Sequence, residues 1–271
     1  MLAISILKIL WPTLIMVLIA AIFAVIIVYL GKKLSVEGNA KTEEILELLS
    51  GANCGACGYA GCASFAKALF EGKVKPSDCP STTMEKKKEI AMIIGVDEGK
   101  VVETVAVVAC SGGKDCKEKY EYLGYGDCKS AEILAGGRKA CPVGCMALGT
   151  CVDACHNFAI GVNNEQSLAR VKKDKCISCG LCIVACPKKI IKRIPKKAGI
   201  YIACSNHGKG KDIKDICEHG CIACTLCVKT CPESAIMMDN NLPVIDYDKC
   251  TSCYKCVEKC PVKCIKIHKD L

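Results

Sequence analysis

Apolar and polar positions divide the chain into stretches of different period. Residues 9–30, ILWPTLIMVLIAAIFAVIIVYL, run for 22 residues without a charge, enough for one helix to span a bilayer. The run is too long for a cleaved signal peptide, and its basic flank, Lys32 and Lys33, follows it. The pattern therefore predicts an uncleaved anchor over 1–34. The lysine flank should lie on the cytoplasmic side, although Lys8 reduces the asymmetry. Beyond it the period becomes helical. Ile45, Leu46, Leu48 and Leu49, then Phe65, Ala66, Leu69 and Phe70, form two apolar stripes stopped by Gly51 and Gly72, with a glycine-rich turn between them. Residues 101–110, VVETVAVVAC, predict a strand. AIGVNNEQSLARV and AIMMDNNLPVIDY each predict a hairpin turning at Asn-Asn.

Composition changes the picture. Of 271 residues 26 are cysteine, while aromatic residues make up 5% with a single Trp. A chain of this length usually fills its core with large apolar side chains, so something else must hold the folded pieces together. Disulfides, zinc and iron–sulfur clusters are the candidates, and a cytoplasmic face disfavours disulfides. The formal charge of +9 counts every thiol as neutral. Five [4Fe–4S] clusters at about −2 each would bring it to roughly −1, so the charge gives no support for nucleic-acid binding.

The cysteines repeat. C-x3-C-x5-C-x3-C occurs at Cys141, Cys145, Cys151 and Cys155, and again at Cys217, Cys221, Cys227 and Cys231. The second copy adds Cys224 where the first has Leu148. Each copy continues through its hairpin into a compact run, CISCGLCIVACP or CTSCYKCVEKCP, and Cys110 matches Cys204. In two-cluster ferredoxins such a run gives three thiolates to one cluster and the fourth to its neighbour. The spacing thus groups Cys221, Cys224 and Cys227 with Cys260, and Cys250, Cys253 and Cys256 with Cys231. In the first copy it groups Cys176, Cys179 and Cys182 with Cys155, and Cys145, Cys151 and Cys186 with Cys141, which takes the place of the thiol missing at Leu148. Zinc is the competing reading, but zinc favours separated cysteine pairs. It stays more open for Cys54, Cys57, Cys62 and Cys79, whose C-x2-C-x4-C-x16-C spacing is less diagnostic. Cys110, Cys116, Cys128, Cys204 and Cys217 read as buried thiols or as ligands of a sixth cluster, and Cys264 as idle.

No nucleophile constellation, P-loop or dinucleotide fingerprint is present. His156, His207, His219 and His268 read as surface residues. The basic run KKIIKRIPKK at 188–197 reads either as a solvated loop or as a steering patch for an acidic electron donor, made of Lys188, Lys189, Lys192, Arg193, Lys196 and Lys197.

GANCGACGYAGCASFAKAL, CSGG, GGRKACPVGC and the paired cysteine modules together resemble the B-subunit family of Rnf complexes. These are membrane-bound ferredoxin:NAD oxidoreductases that move sodium ions or protons. The resemblance covers the whole chain, with two departures: His156 stands where Pro is usual, and the second module exceeds the shorter members. It implies an electron relay in the cytoplasmic (inner) membrane. Electrons would come from reduced ferredoxin and pass to other Rnf subunits, with flavin and NAD held by those partners and no bond-making site in this chain. A polyferredoxin of another membrane complex such as a hydrogenase, or a zinc-stapled scaffold, are the alternatives. The expected fold is α+β: an anchor at 1–34, a single-cluster domain at 35–100, and ferredoxin-like modules at 101–198 and 199–271, with five [4Fe–4S] clusters in all.

Overall fold

The computed structural model describes residues 2–34, 40–96 and 102–268. It divides into two compact units, 1–43 and 44–271. The expected boundaries at 34/35 and 100/101 fall on or beside residues outside that description. The expected single-cluster domain from 44 onward and both modules lie within the second unit.

The first unit holds α1 (Leu2–Leu34), a backbone helix of 33 residues. Its side chains are described at Trp11 and at 14–29, and the large apolar ones among them are exposed. Those 16 consecutive residues rise about 24 Å, short of the roughly 30 Å hydrocarbon layer. Among the described residues no helix is long and apolar enough to cross a membrane. The side chains of Lys8, Lys32 and Lys33 lie outside the description.

The second unit contains most of α2 (Ala40–Leu48), then α3 (Cys62–Phe70) and α4 (Met84–Ile94). Ile45 and Leu49 pack on Phe65, Ala66 and Leu69, with Ile90 of α4 closing the core and Cys79 at its edge. The two expected stripes thus form the core, apart from their outer members Leu46 and Phe70, which are exposed. The sequence reading missed α4, where Lys86, Lys87 and Lys88 mask an apolar stripe that ends at Gly95, left-handed at φ 69°.

The rest is one pattern made twice. In the first copy β1 (Thr104–Val108) pairs antiparallel with β4 (Ile191–Pro195), and β2 (Ile160–Asn163) with β3 (Leu168–Val171). Helices α5 (Cys128–Ile133), α6 (Thr150–Asp153) and α7 (Leu181–Ala185) carry cysteines. The second copy pairs β5 (Ile200–Ile202) with β8 (Ile265–Ile267) and β6 (Ile236–Asp239) with β7 (Leu242–Ile245), with α8 (Gly210–Lys214), α9 (Leu226–Thr230) and α10 (Lys255–Lys259). β1 is apolar on both faces because both are covered. Ala106 and Val108 enter the first copy's core, while Val105 and Val107 meet Tyr201 and Ala203 of the second.

One hairpin turns as expected. Asn240 and Asn241, both left-handed at φ 43° and 65°, link Asp239 to Leu242 in the two-residue loop that asparagine favours. The other does not turn at Asn-Asn. Asn163 is the last strand residue, paired with Leu168, and 164–167 form a four-residue loop in which the Asn163 carboxamide oxygen accepts from the Gln166 amide at 2.9 Å. That side-chain bond rounds off a longer turn.

Candidate metal centres

Four loops share one backbone form. After the first cysteine of each run, a left-handed residue precedes the second position and another follows it, before a short helix carries the third. The left-handed pairs are Ala147 and Gly149, Ser178 and Gly180, Ala223 and Thr225, and Ser252 and Tyr254. Alternating handedness turns successive N–H groups toward one concavity, a nest for an anion. Holding non-glycine residues there is unfavourable, which marks the loops as functional. The fourth cysteines share a form too. Phe158, Lys189, Ser234 and Lys263, three residues after Cys155, Cys186, Cys231 and Cys260, are left-handed, and each N–H donates to that cysteine's carbonyl at 3.1–3.3 Å. His156 therefore makes the same turn that Pro187, Pro232 and Pro261 make.

The loops bring thiols together around cavities. Cys221, Cys224, Cys227 and Cys260 line one, and Cys231, Cys250, Cys253 and Cys256 another. Cys155, Cys176 and Cys179 lie close enough that, after burial itself, their charges help push Cys182 up to about 12. In the helical region that opens the second unit, the Cys57 thiol is raised by burial and then by Cys79 and Cys54, while Cys57 and Cys62 both border the core that contains Cys79. Asn53 fastens that loop, its oxygen accepting from the Cys62 amide at 2.8 Å. Among the described residues no three His, Cys, Asp or Glu side chains form a group that could hold a metal ion.

Cys141, expected with Cys145, Cys151 and Cys186, does not line the cavity beside those three. Cys128 lines it instead. Asp127 caps α5, accepting from the Lys129 and Ser130 amides at 2.8 and 2.9 Å, and the Cys128 amide donates to Thr150 Oγ1 at 2.7 Å, beside Cys151. Burial and then Cys145, Cys128 and Cys186 push the Cys151 thiol up to about 12. Cys141 instead packs with Cys116 and Cys217. Cys264, read as idle, is buried with its sulfur 3.7 Å from Cys260 and lines the Cys221 cavity.

The basic run also differs from a uniform patch. Lys188 is buried, with Nζ donating to Gly136 and Pro142 carbonyls, both at 2.6 Å. The same Nζ lies 2.6 Å from Glu132 Oε2, an ion pair without hydrogen-bond alignment. Lys196 pairs with Glu103 at 3.3 Å. Lys189, Lys192, Arg193 and Lys197 remain exposed.

All-thiol donor sets, partly apolar cavities and N–H nests fit an anionic iron–sulfur cluster, and the sulfurs receive backbone donors. The Ala159 and Ala235 amides reach Cys155 and Cys231 at 3.3 Å. These features define an iron–sulfur protein built on ferredoxin-type modules. Residues 49–81 match the family described as "Putative Fe-S cluster", 169–192 "4Fe-4S binding domain" and 220–264 "4Fe-4S dicluster domain".

Among curated proteins the chain is similar to the B subunit of the Na(+)-translocating ferredoxin:NAD(+) oxidoreductase complex of Acetobacterium woodii. The identity is 39% over 245 residues, 90% of this chain and 73% of that protein. The B subunit of the ion-translocating oxidoreductase complex of Methanosarcina acetivorans is 39% identical over 227 residues, 83% of this chain and 86% of that one. The B subunit of the proton-translocating ferredoxin:NAD(+) oxidoreductase complex of Clostridium ljungdahlii is 34% identical over 240 residues, 87% and 84%. The chain belongs to this family of B subunits of ion-translocating oxidoreductase complexes.

Proposed function

We propose that this chain is the membrane-anchored electron relay of an ion-translocating ferredoxin:NAD(+) oxidoreductase, taking electrons from reduced ferredoxin and passing them to other subunits. One observation carries the reading: the same nest-forming loop, built four times, three of them beside cavities lined by four or more thiols. The ligand sets are Cys54, Cys57, Cys62 and Cys79; Cys128, Cys145, Cys151 and Cys186; Cys155, Cys176, Cys179 and Cys182; Cys221, Cys224, Cys227 and Cys260; and Cys231, Cys250, Cys253 and Cys256. A bound [4Fe–4S] cluster accepts and returns a single electron. The chain's own groups set how readily that happens. Amide donors to Cys155 and Cys231 favour added negative charge, and burial of Cys145, Cys151, Cys182, Cys227 and Cys256 keeps water from the sulfurs.

α1 is the anchor in this reading, supported by its uncharged run at 9–30 and by the exposed apolar side chains from Leu14 to Tyr29. The modules then lie on the cytoplasmic side of the cell membrane. Flavin and NAD belong to partner chains. Purified without oxygen, the protein should be brown, hold about twenty irons or more with matching sulfide, and be reduced by ferredoxin in a stopped-flow instrument. A colourless, zinc-loaded protein would refute the proposal.

A further inference from the structure

The five ligand sets leave Cys110, Cys116, Cys141, Cys204, Cys217 and Cys264 unused, and all but one of these, Cys264, line a single cavity. That cavity lies on the seam between the two copies. The seam is held by reciprocal bonds: Ser111 Oγ donates to the Ala203 carbonyl and Ser205 Oγ to the Ala109 carbonyl, both at 3.0 Å. Backbone bonds extend it, from the Lys117 amide to the Ile216 carbonyl at 2.9 Å and from the Glu218 amide to the Asp115 carbonyl at 3.2 Å. Cys116 and Cys217 face each other across an antiparallel bridge.

We propose that Cys110, Cys116, Cys141 and Cys217 hold a further [4Fe–4S] cluster, shared between the two copies. The inference rests on the reading of the motif cysteines as cluster ligands.

Cys116, Cys141 and Cys217 are packed as one buried group. Cys110 is the fourth because it lines the same cavity, two residues before Gly112, against which Cys116 and Cys217 crowd. Cys204 packs in the core of the second copy, its sulfur against the Cys221 amide at 3.4 Å. The backbone makes room for sulfur at Gly112, where an added Cβ would stand 2.9 Å from Cys217 Sγ and 3.0 Å from Cys116 Cβ. Asn206, from the second copy, donates its amide to Cys141 Sγ at 3.3 Å, the outer-shell contact that favours a thiolate over a thiol. On assembly each thiol gives up its proton as its sulfur bonds an iron. Three ligands come from the first copy and one from the second, so the cluster gives electrons a way station between the modules.

Iron, acid-labile sulfide and Mössbauer spectra of the anaerobic full-length protein test this. About twenty-four irons are expected, against about twenty without the seam cluster. Cys116→Ser and Cys217→Ser should each lose about four irons and four sulfides while the remaining spectrum is unchanged. Cys110→Ser should behave likewise, and Cys204→Ser should keep the full count. Twenty irons in the parent with no loss in these variants overturns the seam cluster and leaves the other five intact. Loss in Cys204→Ser but not in Cys110→Ser overturns the ligand set. Zinc in place of four of the irons overturns the cluster type. A parent with no [4Fe–4S] signal would instead refute the function on which the inference rests.

Discussion

Leu148 occupies the loop position that Cys224 occupies in the second copy, between left-handed residues at φ 57° and 86° where Cys224 lies between φ 56° and 60°. The backbone there is shaped for a ligand that the side chain does not supply, and in the proposed set Cys128, which lines the same cavity, takes that role. Cys128→Ser should therefore remove one cluster, four of about twenty-four irons or roughly one-sixth. Adding Leu148→Cys to that variant should restore them, because the new sulfur would rise from the same turn as that of Cys224. Leu148→Cys should not rescue Cys141→Ser, whose loss belongs to the seam, and Cys128→Ser with Cys141→Ser should lose about eight irons. Iron and sulfide analysis with Mössbauer spectra reads each case. Full iron in Cys128→Ser, or rescue of Cys141→Ser by Leu148→Cys, would refute the reasoning and return Cys141 to the place the spacing suggested.

Lys188→Met leaves the Gly136 and Pro142 carbonyls without their donor and Glu132 without its cation, at a cost of about 3 kcal/mol. The midpoint of heat-induced bleaching should fall by about 8 °C, and a fall under about 2 °C would show the buried ammonium to be dispensable. Replacing exposed Lys189, Lys192 and Lys197 with Gln should slow reduction by ferredoxin and flatten its dependence on salt, since exposed charges act over about 8 Å at physiological ionic strength. Stopped-flow traces at several salt concentrations decide this, and an unchanged slope would make the run an ordinary solvated surface. Removing 1–34 should release the protein from the membrane with its iron content intact, because no cysteine precedes Cys54; membrane retention of the isolated variant would displace the anchor.

What was legible in the sequence was local. Cysteines two and three residues apart must share a turn, so the grouping of Cys250, Cys253 and Cys256, or the two-residue turn at Asn240 and Asn241, follows from short-range geometry. What was hidden depends on distant partners. Cys128 lies 17 residues before Cys145 in no motif, and only its position behind the capping Asp127 hinted at a fixed place. Lys188 looked like one charge in a basic run, and its burial depends on carbonyls 46 and 52 residues away. The seam thiols were recognisable as a surplus, but their convergence needed the two copies to be docked.

The left-handed loops have a bearing on damage. Ala147, Ser178, Ala223, Thr225, Ser252 and Tyr254 are non-glycine residues held at φ 56–60°, each at a cost of about 1–2 kcal/mol. Together that is roughly 6–12 kcal/mol, as large as the whole stability of an ordinary domain. A loop stripped of its cluster by oxygen is thus freed to relax to a commoner conformation, and its cysteines drift apart. Rebuilding a lost cluster would then also require drawing the loop back into its left-handed form.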